Sequence, residues 1–124
     1  MDQKEKYNIT SDVMFKPLEY MDIEELHTEC KETWYNRSLC RINDCVVRLG
    51  IIEGEFHWHK HIKEDEFFYV IEGRLFIDVK GKETVVLKSQ HAFSVPKGVL
   101  HRTRAPERTV ILMVEGRSVT PTGD

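Results

Sequence analysis

"FHWHKHIKEDEFFYVIEGRLFIDV", residues 56–79, passes from three histidines and three acids into two short apolar runs divided by Glu72-Gly73. In the second run Leu75, Ile77 and Val79 share one face and Arg74, Phe76 and Asp78 the other, the period of a strand with one face in a core. Outward from this stretch the texture repeats. "CVVRLGII" (45–52) ends at Glu53-Gly54, "EFFYVI" (66–71) at Glu72-Gly73, and "RLFIDV" (74–79) at "KGKE" (80–83). "TVVL" (84–87), "HAFSV" (91–95) closed by Pro96 and Gly98, and "TVILMV" (109–114) stopped by Glu115-Gly116 complete the series. Short strands at regular spacing predict an all-β sandwich or small barrel. Both faces of 109–114 are apolar, which predicts a strand packed on both sides. Gly73 is expected to open a hairpin between 66–71 and 74–79.

Before residue 44 the pattern is weaker. The first dozen residues are polar and read as a loose arm. Asp22, with Glu25 three places on, has the spacing of a capping box for a short helix through about Cys30, and Pro17 opposes a longer one. The organisation expected is one domain: an N-terminal arm and leading segment at 1–43, a barrel core at 44–116 and a coil tail at 117–124.

A chain of 124 residues buries one core. Its formal net charge of −3 gives no basic field for nucleic acid or an anionic membrane. The N-terminus lacks the apolar core of a signal peptide and no run is long enough to span a bilayer, so the expected location is cytoplasmic. Cys30, Cys40 and Cys45 match neither CxxC nor a zinc-finger spacing and read as reduced thiols.

Histidines two apart on a strand present both imidazoles on one face, within reach of a single ion. By that parity His57, His59 and His61 all point the same way, so parity alone leaves the choice of ligands open. A second histidine element, "PKGVLH" (96–101), ends at His101 after a Pro-x-Gly turn that would return the chain toward the first.

These two elements together resemble the cupins. That family's first motif has the form G-x5-H-x-H-x(3 or 4)-E-x6-G and its second G-x5-P-x-G-x2-H-x3-N, on a jelly-roll barrel or double-stranded β-helix. Two registers of the first motif compete. His57 and His59 lead to Glu64, and six residues further on to Ile71, where the motif has glycine. His59 and His61 lead to Glu66, and then to Gly73, which fits. Pro96, Gly98 and His101 match the second motif, while Gln90 stands at its glycine and Ala105 at its asparagine. The resemblance covers about residues 44–116 and looks closest to small single-domain cupins of the mannose-6-phosphate-isomerase-like kind. It implies one divalent transition metal per chain (Fe, Mn, Ni, Co or Zn) held by His59, His61, Glu66 and His101, and a small-molecule substrate. It also implies a homodimer formed through edge strands.

Three histidines and one carboxylate are compatible with open coordination positions. The chemistry expected is oxygenase-like, with a non-redox isomerase, epimerase or lyase, or a small-molecule binding module, as alternatives. His57, left over on the ligand face of a regular strand, becomes the candidate catalytic acid or base. Arg48, Phe68 and His91 are the candidate pocket residues: Arg48 to clamp an anionic group, Phe68 because it shares the face of Glu66, and His91 because it shares the face of Phe93 and Val95.

Overall fold

The computed structural model describes residues 9, 10 and 12–116. The arm and tail read from the sequence therefore fall outside the described residues, except for Ile9, Thr10 and Asp12. Elements run β1 (Ile9–Thr10), α1 (Ile23–Glu29), β2 (Trp34–Ile42), β3 (Cys45–Glu55), β4 (Glu66–Glu72), β5 (Leu75–Val79), β6 (Val85–Leu87), β7 (Ala92–Val95) and β8 (His101–Gly116). The chain is all-β with one short helix, and every strand pair except β1–β2 is antiparallel. Among the described residues no helix is long and apolar enough to cross a membrane.

Strand β8 organises the sheet. It lies against β3 at Arg104–Ala105 and again from Thr109 onward, and from Val110 against β4 as well, whereas His101–Arg104 pair with β5. Residues 106–108 have no partner in any of these registers, and the registers of both β3 (between Ile52 and Gly54) and β4 (between Val70 and Glu72) shift beside them. Pro106, which has no N–H to donate, sits in that break. One long strand thus pairs with β5 through its first residues and with β4 through its last, and closes the jelly roll. The expected strand at 109–114 was only its second half.

Strands β4 and β5 do not form the predicted hairpin: each pairs with β8, and the chain turns a corner between them. Gly73 makes that corner, with φ +94° and a Cβ position only 2.9 Å from the Thr109 Cα. The buried Thr109 hydroxyl locks it by accepting from the Arg74 N–H at 3.1 Å. Glycine is needed here for conformation and for space.

Two apolar clusters lie on opposite sides of the β3–β8 region. Phe68, Val70, Leu75, Ile77, Ile111 and Met113 fill the interior. Leu39, Leu49, Ile51 and Val110 face outward and are covered by Phe15, Met21, Ile23 and Leu26 from the leading segment and α1. That cover is why 109–114 is apolar on both faces. The helix starts as expected, with the Asp22 carboxylate accepting from the Glu25 N–H at 3.0 Å. Its far end is tied to the sheet by Arg108, which donates to the carbonyls of His27 and Cys30.

Strand β2 lies in the stretch read as a leading segment, yet it pairs with β3 over its whole length. Its inward residues Trp34, Asn36 and Ser38 and its outward residues Tyr35, Arg37 and Leu39 both mix polar with apolar, so no period-two signal survives.

On the outer side of β5, Asp78 receives hydrogen bonds from Thr84 (2.6 Å), Arg102 (2.8 Å) and Arg104 (2.8 Å). The Arg104 guanidinium beside it, with Thr84 and Arg102, holds the Asp78 carboxyl well below the usual range against the opposing effect of burial. A depressed folded pKa stabilises above the unfolded value of about 3.9 and that stabilisation is lost as pH falls. Asp78→Asn is expected to cost about 1–2 kcal/mol at neutral pH. In urea melts between pH 7 and pH 3 the gap to the native protein should narrow below about pH 4; a constant gap would exclude the ionic origin. Gly73→Ala is expected to cost about 2 kcal/mol or more in the same assay.

Candidate metal centre

His59, His61, Glu66 and His101 meet inside the barrel, each offering one donor atom, and all four donor atoms lie within 4.8 Å of one another. All four residues are buried. The segment that carries the first two is not a regular strand, since β3 ends at Glu55. It follows β8 nonetheless: Phe56 N–H donates to the Thr103 carbonyl at 2.9 Å, and His59 and His101 exchange backbone hydrogen bonds at 2.9 Å in both directions. This reciprocal pair places two imidazoles from distant parts of the chain side by side, with ring centroids 4.5 Å apart.

The turn between the two motif elements has a similar role. Gly98, at φ +80°, donates its N–H to the His61 carbonyl at 2.8 Å, and Lys97 N–H donates to Asp65 at 3.0 Å. The Pro-x-Gly turn is thereby fastened to the ligand loop. Gln90, at the glycine position of the motif, adopts φ +70° and donates to the Val70 carbonyl. The left-handed conformation for which glycine is suited is kept by a residue with a side chain.

Ring orientation follows from the backbone. His59 Nδ1–H donates to the His57 carbonyl at 3.0 Å and His101 Nδ1–H to the Val99 carbonyl at 2.9 Å, which leaves each Nε2 as the lone-pair donor. Burial pushes the His59 pKa down to about 4, so its imidazole is neutral, the form a metal needs. Glu66 Oε1 lies 3.3 Å from His101 Nε2 and 3.4 Å from His61 Nε2. Donors about 2.0–2.2 Å from one ion are separated by about 3.0–3.5 Å when adjacent, so the set fits a divalent transition metal.

Behind Glu66 lies a buried chain of polar groups. Glu66 and Glu115 are register partners on β4 and β8, and each shifts the other's titration. Arg48, 3% exposed, pairs with Glu115, 2% exposed, at 2.5 Å and donates to Ser38 Oγ at 2.8 Å. Burial and the Glu66 charge push the Glu115 carboxyl well above its ordinary range, and Arg48 only partly offsets this. Burial would raise Glu66 too, but the neighbouring His101, His61 and Glu115 outweigh it and hold the carboxyl low. The two carboxyls are thus pushed in opposite directions, with the Arg48 guanidinium beside Glu115 Oε1 on the side away from Glu66.

A cavity of about 60 Å³ opens onto His59 and Glu66, walled by Trp34, Phe56, Phe68, Ile111 and Met113, with Asn36 and Thr103 as further polar groups. Phe68 is part of that wall. Arg48 is not: its guanidinium is engaged by Glu115 and Ser38, so it clamps no substrate. His91 is neither in the pocket nor buried. It is exposed on the turn before β7, where Nδ1 accepts from the Lys88 N–H at 3.0 Å. His57 lies outside the four-donor group, half-buried, stacked on Phe56 at 4.3 Å and 5.4 Å from the His59 ring. Its backbone carbonyl, which orients His59, is its direct contribution. The Glu64 carboxylate packs against Gly116, where a Cβ would collide with it, and gives no donor to the group. Sequence reasoning missed Glu115 and Asn36. Glu115 was findable, because it shares the face of Ile111 and Met113 by parity and a lone inward arginine needs a lone inward acid.

Residues 46–115 match the family model of the cupin domain. The chain is 51% identical over 87 residues to the uncharacterized protein YdbB of Bacillus subtilis (strain 168), covering 70% of this chain and 77% of that one. A crystal structure of a cupin-2 domain containing protein from Shewanella frigidimarina is similar with a TM-score of 0.73 and 31% identity, over 77% of this chain and 93% of the other. Protein NMB1881 from Neisseria meningitidis shares the fold, with a TM-score of 0.71 and 22% identity, over 79% and 99% of the two chains.

If Glu115 orients Glu66, Glu115→Ala should weaken cobalt or zinc binding by about 10–100-fold in titration calorimetry, and Glu115→Gln, which retains a donor, by far less. Equal loss in both variants would refute the orienting role.

Proposed function

Because the chain belongs to the cupin family and gathers four buried donors beside an aromatic-walled cavity, we propose that it is a metal-dependent enzyme acting on a small molecule. The ligands in this reading are His59, His61, Glu66 and His101. A divalent ion bound there supplies Lewis-acid or redox chemistry at its open positions. The chain's residues supply the rest. Nδ1 hydrogen bonds fix the tautomers of His59 and His101, Glu115 stands behind Glu66 with Arg48 beside it, and Phe68, Ile111 and Met113 give the cavity next to the donors an apolar wall.

The observation that carries the reading furthest is the cavity wall: no lysine or arginine lines it among the described residues. Phosphorylated or multiply charged substrates have nothing to pair with, which favours oxygenase chemistry on an uncharged compound over isomerisation of a sugar phosphate. A second reading, proton transfer without redox change, rests on His57, whose half-buried ring lies next to His59. A homodimer belongs to the same proposal. Strands β6 and β7 each pair on one side only among the described strands, and Phe67 and Val86 expose apolar surface that a second copy would cover.

Metal content after anaerobic purification, followed by oxygen uptake with small phenols, diketones and thiols, is the direct test. Iron with substrate-dependent uptake is the expected result, whereas zinc or nickel without uptake would favour the proton-transfer reading. Glu66→Gln should lower metal affinity strongly and Glu64→Gln should leave it unchanged. The reverse would overturn the ligand set.

A further inference from the structure

Asn36 is the polar group in the cavity that the metal site does not use. It lies on the inward face of β2 between Trp34, which packs on the interior cluster, and Ser38, which bonds Arg48. Its register partner on β3 is Gly50, and on the far side of Gly50 lies Ile111 of β8. A Cβ at Gly50 would stand 2.9 Å from Ile111 Cγ1 and from Met113 Cε, so the bare backbone lets those side chains pack there. Asn36 and these residues all line the cavity that His59 and Glu66 share.

Asn36 Oδ1 is shielded from solvent and accepts no hydrogen bond among the described residues. A buried acceptor left in that condition costs about 1–3 kcal/mol, and an apolar residue of similar size would avoid the cost. The rest of the wall is aromatic and aliphatic. A cavity of about 60 Å³ holds about four to six waters at about 10–15 Å³ each, the space of one small ring.

We propose that Asn36 is a specificity-determining residue of the metal pocket, its amide accepting a hydrogen bond from a small, uncharged, ring-sized ligand whose other polar atom faces the ion. The proposal rests on the metal-site reading above and adds the ligand class to it. Three parts of the pocket recognise three parts of the ligand. The ion takes one oxygen, the Trp34, Phe56 and Phe68 wall takes the flat apolar body, and Asn36 takes an O–H or N–H. An anionic group finds no cation, since Arg48 is held by Glu115. A purely apolar ligand would leave Oδ1 unpaired and lose the corresponding energy.

Cobalt-loaded protein, with binding read from its visible spectrum, provides the test. The probes are phenol and the three dihydroxybenzenes, which offer a second hydroxyl at three spacings. At least one dihydroxybenzene should bind about 10-fold or more tighter than phenol. Asn36→Leu should remove that preference while leaving cobalt affinity unchanged, and Asn36→Asp, of similar shape and still an acceptor, should restore it in part. A preference that survives in Asn36→Leu, or no preference for any isomer in the native protein, would overturn the assignment. Failure of the native protein to bind cobalt would instead refute the metal reading on which it rests.

Discussion

A carboxylate that stays ionised inside an apolar barrel needs compensation from every side, and that need links the strands of this protein to one another. Unpaired, Glu66 would take up a proton and cease to be a good ligand. It is held by His61, His101 and Glu115; Glu115 is held by Arg48, and Arg48 by Ser38. The chain of contacts crosses β4, β8, β3 and β2 in turn. A one-residue slip between any two of these strands would point one member of the chain outward, so the polar groups select a register that the apolar clusters alone specify less sharply.

The same dependence explains what could be read from the sequence. Strands with a clean alternation, such as Leu75, Ile77 and Val79 against Arg74, Phe76 and Asp78, were legible because one face is core and the other is not. The ligand set was legible through spacing: Gly73 selected His59, His61 and Glu66 over the alternative set, and the structure gathers those three with His101. The parity argument itself was only partly sound, because the chain beyond Glu55 is irregular and His57 does not join its two neighbours. Connectivity was harder to read. Gly73 and Glu72 have the composition of a hairpin turn, but the partner of both flanking strands is β8, thirty residues away, and no local signal names it.

Strand β2 was illegible because its inward face is polar. An inward face carrying Asn36 and Ser38 violates the alternation that marks a strand, and these two residues do what an apolar side chain could not: one faces the cavity, the other fixes Arg48. Local rules fail where a site has been built into the fold. The half-buried Trp34 and Tyr35 at its start, adjacent on opposite faces, further blur the period.

Arg48 shows how an identical residue leads to opposite conclusions at the two levels. In the sequence, an arginine inside an apolar strand suggests an anion-binding clamp. In the fold, its charge is spent on Glu115 within the barrel wall, and the cavity in front of it is left without a cation. In the proposed reading, choice among ligands then comes from shape, from the ion, and from the neutral Asn36 amide. The buried pair that secures the ligand carboxylate thereby also sets the charge class of what can enter beside it. Both consequences follow from burying a guanidinium where it can meet only one acid.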